Sequence, residues 1–195
     1  VIIQSFIVML VVAIVSSVIA TVLGTLAAIG LNKMNKKLKS VVMTFTYLPM
    51  INPEIITGVA LMLLFIYLKM EFGMQTLIVA HITFNVPYVI LNVLPKLKQM
   101  DPSIYEAALD LGATPFYALV KVIIPEIASG ILSGFVMAIT LSLDDYFVAT
   151  YTKPATFDTI STYVVNATKG SQTEIKTALW ALSTIIFLVV VVVEL

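Results

Sequence analysis

The sequence predicts an all-α, polytopic bundle of membrane-spanning helices, and three observations predict it. Mean hydropathy is +1.06, and 60% of the 195 residues are hydrophobic. Only 11% are charged, where soluble domains carry about 25%, and so few charges cannot cover a soluble surface of this size. Apolar runs of the ~20 residues needed to cross a bilayer recur along the chain.

Five such spans are expected. The first covers about residues 2–31 and is followed by a basic loop holding Lys33, Lys36, Lys37 and Lys39. The second covers about 41–68 and is interrupted by Pro49, Pro53 and Glu54. Each proline removes a helix hydrogen bond and kinks or ends the helix. Lys69, Glu71 and Gly73 mark a turn before the third span, about 75–94, which contains His81, Asn85, Pro87 and Asn92. A polar, Gly-punctuated segment at about 95–121 precedes the fourth span, from about Ile127 to Ala149. A polar stretch from Tyr151 to Glu174 leads to a fifth span, from about Ile175 to the end. No internal repeat divides the chain, so residues 1–195 read as one domain. The chain opens at Val1 inside an apolar run, so its natural N-terminus is expected to lie upstream.

Lysine placement sets the orientation. The loops at 32–40 and 95–121 hold four and three lysines, whereas those at 69–75 and 151–174 hold Lys69, Lys153 and Lys169. The first two loops are therefore expected in the cytoplasm.

Composition also excludes functions. Net charge is zero, which gives no footprint for nucleic acid. All eleven basic residues are lysine, and no G-x-x-x-x-G-K-[ST] phosphate loop occurs, so nucleotide chemistry on this chain is not expected. There is no cysteine, and one histidine cannot build a His-based metal cluster. No nucleophile–base pair stands out for a membrane-embedded enzyme.

Small residues repeat at helical spacing in two spans: Ala20, Gly24 and Ala28 in the first, and Ser129, Gly130, Ser133 and Gly134 in the fourth. Such residues let helices approach closely in lipid. Ionisable residues at membrane depth cost at least about 2.5–3.5 kcal/mol and so face a cavity or a partner. Glu54 lies on the order of 20 Å into a straight second span. It is expected either to line a pore or to sit in a re-entrant turn. His81, Asn85, Tyr88 and Asn92 fall on one helical face, either between helices or toward a pore. Asp144 and Asp145 lie near the outer end of the fourth span, with Asp144 on the face of Ser133, Met137 and Thr140. They are expected either to line a cation path or to cap a helix that ends early.

Residues 106–125 read EAALDLGATPFYALVKVIIP. Glu106, Ala107, Ala108, Gly112 and Pro125, with Val122 and Ile124, resemble the E-A-A-x3-G-x9-I-x-L-P loop of permeases in binding-protein-dependent ABC importers. The departures, Val122 for Ile and Ile124 for Leu, conserve volume. In that family the loop is a short cytoplasmic coupling helix that docks on an ATPase, which implies this role for residues 102–117. The segments SLDDYFVATYTKP, LPMINPEIITGVALMLLF and AHITFNVPYVI are similar to PotC-type permeases of spermidine/putrescine ABC importers, from the second to the sixth span of a six-span fold. The resemblance implies the type I importer permease fold in the bacterial plasma membrane. It also implies a sister permease, an ATPase dimer carrying ATP and Mg, and an external substrate-binding protein as partners, with no cofactor on this chain. Glu54, Asp144, Asp145, His81 and Asn85 would then border a cation-friendly substrate path. A permease for another solute fits the same loop. A stand-alone secondary transporter or channel would need no such loop, and Glu54 and Asp144 would then be ion sites.

Overall fold

The computed structural model describes residues 2–168 and isolated positions between 180 and 191. The expected fifth span and Lys169 therefore fall largely outside the described residues. Every described element is helical.

Helix α1 (Ile2–Lys33) is apolar on all sides, yet only one stripe is buried. That stripe carries the small residues: Ser16, Ser17, Ala20, Gly24 and Ala28. The large residues Phe6, Ile14, Val18, Val22 and Leu26 point outward. With lipid as solvent, the small and the hydroxyl-bearing residues turn inward, where close packing and polar partners are found, and Val8, Met9, Val12 and Leu31 fill the rest of the stripe. The stripe packs on α4 (Met74–Gln99) and α8 (Ala128–Asp144), and these three helices form the core. A Cβ added at Gly24 would sit 2.7 Å from the Cβ of Val89 on α4, and one at Gly130 would sit 2.9 Å from the carbonyl oxygen of Asn92. Gly24, Gly130 and Gly134 thus mark close helix crossings, whereas Ser129 and Ser133 of the second stripe are exposed.

The second span is not one helix. Helix α2 (Lys36–Ile51) and α3 (Glu54–Tyr67) meet at 109°. Pro53 drives the break, because a residue before proline is pushed out of the helical region. Asn52 is extended at φ −75°, ψ 141°. The depth reckoned for Glu54 along a straight helix therefore does not hold, since Glu54 opens a new helix after a sharp bend.

The fourth span is also shorter than expected. Helix α8 stops at Asp144, and α9 (Phe147–Thr152) starts after a break at Asp145 and Tyr146. Helix α9 packs on α3: a Cβ at Gly58 would meet the Phe147 carbonyl oxygen at 3.1 Å and Val148 Cα at 3.3 Å. Thr76 on α4 donates to the Thr152 carbonyl at 2.8 Å, tying the far end of α9 to α4. A last described helix, α10 (Ile160–Thr168), follows a turn held by the Lys153–Asp158 ion pair at 2.9 Å.

Between α4 and α8 the chain runs through α5 (Pro102–Asp110), α6 (Pro115–Ala118), a π turn at Leu119–Ile123 and α7 (Ile124–Glu126). Tyr105, Leu119 and Ile123 join Leu31, Leu94 and Leu97 in one apolar cluster. The Lys33 ammonium lies 4.9 Å over the Tyr105 ring. The basic loop and the segment at 95–121 therefore share one end of the bundle, in agreement with the lysine count.

Candidate functional site: an exposed apolar surface and an acidic break

Asp101 starts α5 by accepting the Ser103 N–H at 2.9 Å, with Pro102 in the first turn. That backbone hydrogen bond holds the Asp101 carboxyl below its ordinary range. Helix α5 ends well before residue 117, where the expected coupling helix was to stop. The Ala113 N–H donates to the Ala108 carbonyl at 3.0 Å, and the Gly112 N–H to the Leu109 carbonyl at 2.9 Å. These are the two bonds of a Schellman ending, which needs a left-handed residue between them. Gly112 supplies it at φ +86°. A Cβ there would meet nothing within 4 Å. Backbone conformation, and not crowding within this chain, accounts for the glycine.

Past the turn, Thr114 caps α6 through the Tyr117 N–H. Residues 108–122 enclose an open groove of about 550 Å³, lined by Ala108, Leu111, Gly112, Ala113, Thr114, Tyr117 and Val122. No residue of α5 is buried. Leu111 is 90% exposed, and Phe116 and Tyr117 are exposed beside it. Glu106, Ala107 and Pro125 are exposed as well, and Ala108 is half-buried. The segment is a capped surface with apolar residues turned outward.

The second constellation gathers where the two broken spans meet. Glu54, first residue of α3, and Asp145, between α8 and α9, border one small cavity of about 20 Å³ with Tyr88, Phe84, Thr57 and Pro49. That volume holds about one water-sized group. The neighbouring acids divide. Asp144 is exposed at the end of α8. Asp145 is 6% exposed and accepts the Val148 N–H at 3.1 Å and the Ala149 N–H at 2.7 Å. The helix does end early, as one of the two expectations had it, but only Asp145 caps, and it does so buried.

The polar face of α4 divides too. His81 and Asn85 are fully buried between helices. Asn85 Nδ2 donates to Ser142 Oγ at 2.8 Å, and Ser142 Oγ lies 3.3 Å from Ser16 Oγ. This links α4, α8 and α1 through polar atoms in a low-dielectric core. Ser133 Oγ donates to Asn92 Oδ1 at 3.0 Å. Tyr88 alone of that face borders the acidic cavity.

The profile of the family described as "Binding-protein-dependent transport system inner membrane component" matches residues 20–195. The chain belongs to this family. It is 31% identical over 180 residues to the spermidine/putrescine transport system permease protein PotC of Escherichia coli K12, covering 92% of this chain and 68% of that protein. It is 30% identical over 181 residues to the protein of the same description in Haemophilus influenzae, covering 93% and 70%. The putrescine transport system permease protein PotI of Escherichia coli K12 is 39% identical over 139 residues, covering 68% and 50%.

This chain is thus an inner-membrane permease of a binding-protein-dependent transport system, with an all-α transmembrane fold. Its role is transport. Sequence reasoning found the motif residues and the acids. It missed Leu111, Phe116 and Tyr117, which complete the exposed surface; three large apolar residues inside a polar loop were the available signal. It also missed Ser16, for which a serine in an apolar span was the only sign.

Proposed function

We propose that this permease moves polyamines inward, accepting them from an external binding protein and drawing motion from a partner ATPase dimer that carries ATP and Mg. A sister permease would complete the translocation path. Three relatives named for spermidine or putrescine transport, matching most of this chain or most of its core, carry the substrate assignment. The chemistry agrees with it. Polyamines are multivalent cations, and a cation leaving water for a low-dielectric path needs carboxylates in place of hydration. Glu54 and Asp144 are exposed acids at the two helix breaks. The ATPase assignment is supported by α5 and the turn after it, where Leu111, Phe116 and Tyr117 have no partner among the described residues to cover them.

Uptake of radiolabelled spermidine and putrescine by cells with and without this gene tests the reading. Loss of uptake on deletion, restored by the wild-type gene, is expected. Unchanged uptake of both would move the assignment to another solute while leaving the importer family intact.

A further inference from the structure

Ser17, Thr25, Asn85 and Thr140 each bury a polar atom without a partner, and His81 is the one ionisable residue among such groups in the described residues. His81 is 1% exposed, and neither ring nitrogen has a hydrogen-bond partner among the described residues. A buried polar group left unpaired costs about 1–3 kcal/mol, so it needs a reason. Its nearest acidic oxygen is Asp145 Oδ2, at 3.5 Å from Nε2. That is long for a hydrogen bond. The same oxygen accepts the Ala149 N–H in the first turn of α9.

We infer that His81 is a positioning residue for transport: through Asp145 it latches α4 to the α8–α9 break and so sets where α9 rests on α3. The path is continuous. His81 sits on α4, beside Phe84 at 5.2 Å between ring centres. Asp145 holds the N–H groups of Val148 and Ala149. Phe147 and Val148 press on Gly58, one turn after Glu54. Moving the Asp145 carboxylate therefore moves α9, and with it the start of α3 and the Glu54 carboxylate across the cavity. A latch of one 3.5 Å contact between three elements suits a part that must release when the helices shift. At 3.5 Å the contact is a loose polar one that a small shift would tighten into a hydrogen bond or release. Glu54 borders the same cavity as Asp145, and no lysine lines it; Asp144 is the exposed chain neighbour of Asp145.

The latch rests on the polyamine reading only for its rate readout, so the test carries a second readout that needs no substrate. The permease is expressed with its partner subunits, and spin labels are placed at exposed Leu63 on α3 and exposed Ala155 just past α9. His81→Gln keeps an N–H near the Nε2 position, and His81→Leu removes it. His81→Leu is expected to broaden the distance distribution between the labels and to slow spermidine uptake about tenfold, while His81→Gln keeps the wild-type distribution and stays within about twofold in rate. In an Asp145→Asn background, His81→Leu should add less than about twofold, because contacting partners are non-additive. If His81→Leu is not recovered in the membrane, His81→Asn, whose shorter amide cannot reach Asp145, takes its place. A Gln variant as impaired as Leu, or losses that simply add, would show that the ring only fills space and would overturn the latch. If the wild type moves neither spermidine nor putrescine, the polyamine reading fails and the label distances alone decide the latch.

Discussion

At the scale of single residues, the glycines separate two different needs. Gly112 is held at φ +86° with open space around it, so its substitution is a question of backbone energy. A side chain in the left-handed region costs roughly 1–2 kcal/mol, and asparagine tolerates it best. Gly112→Leu is expected to weaken co-purification of the ATPase and to reduce uptake, while Gly112→Asn keeps most of both. Equal failure of the two would mean that the partner's surface presses on this backbone and that φ is not the cause. Gly24 answers to packing. Its substitution by alanine drives a Cβ into Val89, and overpacking costs about 1–3 kcal/mol. Gly30 has nothing within 4 Å of its added Cβ. Thermal melting in detergent should therefore fall for Gly24→Ala and hold or rise for Gly30→Ala. A shared drop would show that helix propensity, and not the α1–α4 crossing, is being read.

At the scale of elements, the two proline- and aspartate-marked breaks decide what faces what. From the lysine bias, the basic loop and α5 are expected in the cytoplasm and the α9–α10 turn outside. A cysteine-free chain makes this simple to check. Thr159 is a poor probe, because it is 3% exposed and hydrogen-bonded to Thr162. Ala155 and Lys36 are exposed. An impermeant thiol reagent on intact cells is expected to label Ala155→Cys and spare Lys36→Cys until the membrane is opened. Labelling in the reverse order would invert the whole bundle.

At the scale of the whole molecule, the acids should sort by role. Asp144→Asn and Glu54→Gln remove charge at exposed positions, and each is expected to slow polyamine uptake about tenfold, roughly 1.4 kcal/mol, with ATPase co-purification and melting unchanged. Asp145→Asn is expected to lower the melting temperature as well, since it replaces one of the two oxygens that accept buried N–H groups, and a buried donor left unpaired costs about 1–3 kcal/mol. Normal uptake by both Asp144→Asn and Glu54→Gln would remove the acidic path and leave the substrate assignment to the relatives alone.

Sequence alone determined the membrane class, the permease family through the residues at 106–125, the spans now seen as α1 and α4 and the close approach at Gly24 and Gly130. These follow from local composition and spacing, which lipid as solvent and helix geometry translate directly into structure. Pro53 even announced the break before Glu54. Only the tertiary structure decided that His81 and Asn85 lie between helices, that Asp145 is consumed in holding α9 while Asp144 stays free, and that Glu54 and Asp145 meet across one cavity. The physical reason is the same in each case. Adjacent residues and residues on one helical face look alike in sequence, whereas the distance to a distant helix and the satisfaction of a buried polar atom depend on how broken helices fold back on one another.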